Sequence, residues 1–104
     1  MANAIVVRYR TKPESAENNA ELVRGVYEEL AAHQPEGFHY MTLQLDDGVS
    51  FVHVAIQDEG VENPLAKSDA FARFQTGLAE RLEHAPDASP AGVVGAYAFG
   101  MGDG

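Results

Sequence analysis

Two amphipathic helical segments, a hairpin between them and a strand-like segment at each end follow one another in the order βαββαβ. That order predicts an α+β domain of ferredoxin-like topology, with a four-stranded antiparallel sheet and both helices on one of its faces. A chain of 104 residues accommodates one such domain over its whole span, 1–104.

Residues 4–11, Ala-Ile-Val-Val-Arg-Tyr-Arg-Thr, are rich in β-branched and aromatic types and predict the first strand. Lys12-Pro13-Glu14-Ser15 stops it, with Pro13 or Ser15 suited to open a helix. From there to Gln34 the apolar residues Leu22, Val23, Val26, Tyr27 and Leu30 recur at helical spacing, with Glu21, Arg24, Glu28 and Glu29 between them. Gln34-Pro35-Glu36-Gly37 ends the helix, since proline cannot continue one.

Residues 38–46 and 49–57 alternate around Asp46-Asp47-Gly48, and Asp-Gly favours a hairpin turn because both residues tolerate positive φ. Val61 to Pro64 is expected as loop, with Asn63-Pro64 opening a helical turn. Ser68 or Asp69 caps a second helix running to about His84, its apolar face built from Phe71, Phe74, Leu78 and Leu82 and weakened by Gly77. Ala85 to Pro90 reads as loop, Ala91 to Gly100 as the last strand, and Met101 to Gly104 as a frayed tail.

Alternate residues of a strand point to opposite faces. Met41, Leu43 and Leu45 with Val52, Val54 and Ile56 are purely aliphatic and are expected under the helices. The other set, Phe38, Tyr40, Thr42 and Gln44 with Phe51, His53, Ala55 and Gln57, is aromatic and semi-polar and is expected on the open face. In the first strand Ile5, Val7 and Tyr9 would join the helix side, leaving Val6, Arg8 and Arg10 opposite. Two helices cover one face only, and a bare aromatic face is a patch that monomers avoid. A homodimer, sheet against sheet around a semi-polar space, is therefore expected.

Composition narrows the function. The hydrophobic share of 45% is that of a globular domain, and the absence of cysteine excludes disulfides, thiolate metal sites and a cysteine nucleophile. Sixteen acids against seven bases give a net charge of −9, which repels phosphate backbones and anionic lipid, so no nucleic-acid partner is expected. The amino terminus has no basic or apolar targeting region, and no apolar run approaches the ~20 residues that span a bilayer. No membrane association and a cytoplasmic location are the expectations. The four histidines lack metal-ligand spacing, no metal is expected, and neither a phosphate loop nor a nucleophile elbow is present.

His53 stands out in mid-strand, with Arg8 or Arg10 expected beside it on the same face. An imidazole there suits a general base toward a phenolic substrate, with Arg8 stabilising the phenolate. Arg10, Tyr40, Thr42, Gln44 and Phe51 are the candidate ligand-binding residues around this pair. The competing reading is structural: a hydrogen-bonded histidine at a subunit interface, arginines paired with acids of the second copy, and polar residues that merely pair across a wet surface. His33 and His84 fall at helix ends, where a cation complements the dipole.

Tyr9-Arg10-Thr11-Lys12-Pro13-Glu14, the Asp47-Gly48 hairpin, the Phe51-Val52-His53-Val54 strand and the Ser68-Asp69-Ala70-Phe71-Ala72-Arg73-Phe74 helix start form a pattern across nearly the whole chain. It resembles the dimeric α/β-barrel superfamily, in particular its antibiotic-biosynthesis-monooxygenase-like proteins and, among these, the small uncharacterised bacterial members. The resemblance implies ligands held between sheet and helices, and a cofactor-free monooxygenase-like enzyme acting on a small aromatic or polyketide-like molecule. The alternative is a non-catalytic dimeric protein that binds a small ligand or serves as an accessory.

Active oxygenases of this kind pair a tryptophan with an asparagine, whereas this chain has no tryptophan and carries Asn18 and Asn19 in its first helix. Haem-degrading members add a histidine on the second helix, where Phe74 and Gln75 stand here. No catalytic residue carries over from the family, and no cofactor is expected.

Overall fold

The computed structural model describes residues 3–97, and the tail expected at Met101 to Gly104 lies outside them. The chain runs β1 (Asn3–Arg10), α1 (Ala16–His33), β2 (Phe38–Gln44), β3 (Ser50–Gln57), α2 (Asp69–Gln75), α3 (Leu78–Arg81) and β4 (Asp87–Ala91), with 3-10 turns at Pro13–Ser15 and Pro64–Lys67. All neighbouring strands are antiparallel, in the order β2-β3-β1-β4. This is the ferredoxin-like βαββαβ arrangement. Tyr9 and Phe51 of the sheet, Val23 and Val26 of α1, and Ala70 and Phe74 of α2 share one buried cluster, so the helices lie together on one face.

Each local element has a sequence cause. Pro13 starts the 3-10 turn that feeds α1. The helix ends where Gln34 takes a left-handed conformation (φ 49°) and donates its N–H to the Leu30 carbonyl. Gly37 then turns with φ +74°, and a Cβ there would lie 2.7 Å from the Val61 side chain, so only glycine fits. Ser68 caps α2, its hydroxyl accepting from the Phe71 N–H.

The hairpin differs from the expected tight Asp-Gly turn. Only Gly48 has positive φ; the Gly48 N–H closes a turn on the Leu45 carbonyl, and the Asp47 carboxylate accepts from the Val49 and Ser50 N–H groups. A turn followed by a left-handed glycine is the other common hairpin solution, and it shortens the strands to Gln44 and Ser50.

The second helix breaks. Gly77 adopts φ +77° and splits the expected single helix into α2 and α3. The last strand also moves: β4 occupies Asp87–Ala91, in the segment expected as loop except for Ala91, while 92–97 form no strand and the rest of the expected strand lies outside the described residues. Pro90 concealed it, since proline is rare in strands; β4 is an edge strand pairing only with β1, where a missing N–H is tolerated.

The largest correction concerns the sheet faces. Tyr9 pairs with Phe51, Val7 with His53 and Ile5 with Ala55, while Tyr40 pairs with Ala55 and Thr42 with His53. Directly opposed residues share a face, so the aromatic, semi-polar set lies with Tyr9 under the helices. The aliphatic set, Met41 and Leu43 with Val52, Val54 and Ile56, occupies the open face beside Val6 and Arg8. Its uncovered side is thus aliphatic rather than aromatic.

Candidate functional site

The residues beneath the helices converge on His53. Its ring stands between two phenols: the Tyr9 hydroxyl is 2.7 Å from Nε2 and the Tyr40 hydroxyl 2.7 Å from Nδ1. The Thr42 hydroxyl lies 3.2 Å from the same Nδ1 and 2.7 Å from the Tyr27 hydroxyl of α1. Neighbouring strands bring these groups together, because His53 faces Val7 on one side and Thr42 on the other, each one residue pair away from a tyrosine.

Behind Tyr9 the network continues into the helices. The Asn19 amide donates to the Tyr9 hydroxyl at 2.9 Å, and Arg81 Nε donates to the Asn19 side-chain oxygen at 3.1 Å. Arg81 also donates to the carbonyls of Phe74 (2.6 Å) and Thr76 (3.2 Å), and its guanidinium lies 5.4 Å from the centre of the Phe74 ring. The break at Gly77 makes this possible, since it turns the end of α2 so that its last carbonyls face Arg81. The Lys12 N–H donates to the Arg81 carbonyl and the Glu83 N–H to the Arg10 carbonyl, which ties Arg81 to the end of β1.

Rings pack around the imidazole. Phe74 lies 5.5 Å from it, Phe51 stacks on Tyr9 at 5.5 Å, and Tyr27 stacks on Tyr40 at 5.2 Å. Burial among them lowers the His53 pKa to about 4, so the imidazole is neutral at physiological pH, with one nitrogen donating and the other accepting. Burial likewise raises Tyr9 to about 12, although the Asn19 hydrogen bond and the Arg81 charge oppose the shift. Tyr40 and Tyr27 are also raised, chiefly by burial. Every hydroxyl in the cluster therefore keeps its proton at neutral pH.

Next to this cluster lies a cavity of about 280 Å³ between the sheet and the segment that carries α2 and α3. Tyr9, Tyr40, His53, Gln57, Asn63 and Gln75 are among its polar lining residues, and Val7, Leu65, Phe71 and Phe74 among its apolar ones. An apolar chamber with a few convergent polar groups is the usual form of a small-molecule site. Among the described residues no three histidines or acids gather in a way that could hold a metal ion.

The predicted site residues separate into two groups. His53 and Tyr40 line the cavity, and Thr42 touches His53 behind them. Phe51 is fully buried as packing under Tyr9, away from the cavity. Gln44 is exposed and donates to the Gly48 carbonyl in the hairpin. Arg8 and Arg10 do not meet His53: they are on the other face of β1, exposed, with Arg8 opposite Val52 and Asp87 and Arg10 3.5 Å from Glu83. The expected His53–Arg8 pair does not exist, and His53 does not face a second subunit across the open sheet.

Tyr9, Asn19 and Arg81 complete the cluster. Two of them carried a usable signal. Asn19 precedes Val23 and Val26 on the apolar stripe of α1, and Arg81 follows Phe74 and Leu78 at helical spacing. A polar residue on a buried stripe needs a partner.

No protein-family model and no curated protein matches the sequence. The fold does match solved structures. A conserved protein from Methanosarcina mazei Go1 superposes with a TM-score of 0.70 at 22% identity, covering 88% of this chain and 91% of that one. A candidate antibiotic biosynthesis monooxygenase from Nitrosomonas europaea gives 0.73 at 15% identity, covering 89% and 90%. Another, from Caulobacter crescentus CB15, gives 0.69 at 14% identity, covering 90% and 91%. At such identities the likeness establishes a common fold, that of antibiotic-biosynthesis-monooxygenase-like proteins, and leaves chemistry to the site itself.

Proposed function

We propose that the cavity under the helices binds a small aromatic or polyketide-like molecule, and that the protein is a cofactor-free monooxygenase-like enzyme acting on it. The observation that carries this reading is a 280 Å³ apolar chamber with two tyrosine hydroxyls and a neutral imidazole on one wall. A phenol held there places its oxygen against Tyr40. A protonated hydroxyl there stabilises the negative charge that develops on that oxygen as the phenol proton leaves, a proton that ends in the water formed from dioxygen. Dioxygen is the oxidant: one oxygen atom becomes a new ring carbonyl, and the other leaves as water with one hydrogen from that ring carbon and one from the phenol hydroxyl, which becomes the second carbonyl.

The roles differ from those the sequence suggested. His53 does not take a proton directly from the substrate, because a hydroxyl caps each of its nitrogens. It orients the tyrosines, and Tyr40 touches the substrate. The same capping supports a second reading, a non-catalytic binding protein with this cavity. In either case we propose a homodimer formed through the open face of the sheet, where Leu43 is 47% exposed and Val6, Val52 and Val54 are only half-buried.

The test uses 1,5-dihydroxynaphthalene in air with the purified protein. Conversion to the hydroxynaphthoquinone with uptake of one dioxygen per turnover is expected. Tyr40→Phe should lower kcat at least ten-fold, over and above any loss of binding, because the contact strengthens on charge that forms in the transition state. Saturable binding without oxygen uptake above the protein-free rate would leave the non-catalytic reading. Absence of any binding would remove the cavity as a site.

A further inference from the structure

We infer that Arg81, acting through Asn19, Tyr9 and His53, turns the Tyr40 hydroxyl into a hydrogen-bond donor toward the cavity, so that the site selects apolar ligands bearing an acceptor oxygen, such as cyclic ketones and quinones. This rests on the cavity being the ligand site and adds what that site recognises. Arg81 and Asn19 are positioning residues, since neither lines the cavity.

The direction follows from counting protons. A guanidinium has donors only. Arg81 Nε can therefore bond Asn19 only at its side-chain oxygen, 3.1 Å away, which aims the amide nitrogen at the Tyr9 hydroxyl. Tyr9 accepts there, and its own proton has His53 Nε2 at 2.7 Å. If Nε2 carried a proton instead, the Tyr9 hydroxyl would receive two hydrogen bonds and turn its proton into the apolar cavity, whereas a hydroxyl polarised by the Asn19 amide donates strongly to Nε2 at 2.7 Å. Nε2 is thus the acceptor, and a neutral imidazole then carries its proton on Nδ1.

That proton is donated to the Tyr40 oxygen at 2.7 Å, with the Thr42 hydroxyl at 3.2 Å as the weaker partner. The hydroxyls of Tyr27, Thr42 and Tyr40 are then unable to donate to His53. Tyr27 and Thr42 bond each other at 2.7 Å, and the Tyr40 hydroxyl, which accepts from His53, keeps its own proton for another acceptor. Tyr40 lines the cavity of about 280 Å³, and its proton is directed there. A chain of hydrogen bonds that all run one way is mutually polarising, which strengthens the last donor.

A change of tautomer is the signature that a merely structural network would not give. Imidazole ¹⁵N spectra of the whole protein should show His53 protonated at Nδ1 and bare at Nε2. In Asn19→Asp the carboxylate accepts from both Arg81 and Tyr9, so Tyr9 must accept from Nε2–H and the tautomer should switch. Calorimetry with 1-tetralone and with tetralin, the same frame without the oxygen, gives the second readout. Tetralone should bind the native protein at least ten-fold more tightly, and Asn19→Asp should abolish that ratio while leaving tetralin unchanged.

If Asn19→Asp does not fold, Tyr40→Phe should bring tetralone down to the affinity of tetralin. An Nε2–H tautomer in the native protein would overturn the inference whatever binds. Equal affinities for the two probes would overturn the donor assignment and leave the cavity reading standing. Binding of neither probe would sink the cavity reading, and the assigned ligand class with it.

Discussion

His53 is the residue whose environment has the sharpest consequence for the folded state. Its pKa falls to about 4 on burial from the ordinary 6.5. Between those values the unfolded chain binds a proton that the native protein excludes, so stability rises with pH across the window and is lost as pH falls through it. A shift of that size corresponds to about 3 kcal/mol. Urea unfolding at pH 7 and at pH 4 should show the difference, and His53→Gln, which can still bond both hydroxyls, should flatten it. Tyr9, Tyr27, Tyr40 and Arg81, the groups packed around it, do not change charge in that window, since burial moves the tyrosines above 10. An unchanged pH dependence in the variant would mean that other groups govern the acid response. The importance of His53 was legible in the sequence as a histidine in mid-strand. Its partners were not, because a strand pattern gives alternation but no phase relative to a strand joined through a helix. Tyr9 was assigned to the helix side and His53 to the other, and only the Val7–His53 pairing reveals that these two assignments exclude each other.

At the scale of elements, α1 and the antiparallel hairpin followed directly from periodicity and turn chemistry, whereas the stretch after residue 75 did not. Both errors there come from one residue acting against its neighbours: Gly77 interrupts an otherwise continuous apolar stripe, and Pro90 disguises an edge strand. The Gly77 break has a structural consequence, since it frees the carbonyls of Phe74 and Thr76 for Arg81. A Cβ at residue 77 meets nothing closer than 3.8 Å, so space does not require glycine; its φ of +77° does. Gly77→Ala should therefore cost about 1 kcal/mol through backbone strain alone. The urea midpoint should drop with the slope unchanged. No loss of stability would show that the left-handed turn is not held in solution, and that the Arg81 contacts it permits are not fixed.

For the molecule as a whole, the inverted sheet strengthens the case for a second copy. The side expected to be aromatic is covered by helices, and the bare side carries Val6, Val52, Val54, Met41 and the 47%-exposed Leu43. Outside the sheet, the segment after β4 also exposes Val94 and Tyr97. An aliphatic face has no hydrogen-bonding use in water, and its burial against an identical face is favourable by about 25 cal/mol per Å². Net charge opposes association, because two copies at −9 repel one another; contact must therefore be made where acids are few, and on this face the aliphatic patch carries none, Asp87 lying at its β4 edge opposite Arg8. Leu43→Glu places an acid there at a position already in contact with solvent, so the isolated fold should tolerate it. In a twofold dimer the charge enters twice, and a buried unpaired carboxylate is costly. Sedimentation at micromolar concentration should give a dimer for the native protein and a monomer for Leu43→Glu, with equal helical content. A native monomer would mean that the exposed aliphatic face stays in water. A variant that remains dimeric would place the interface elsewhere, the segment bearing Val94 and Tyr97 being the next surface to substitute.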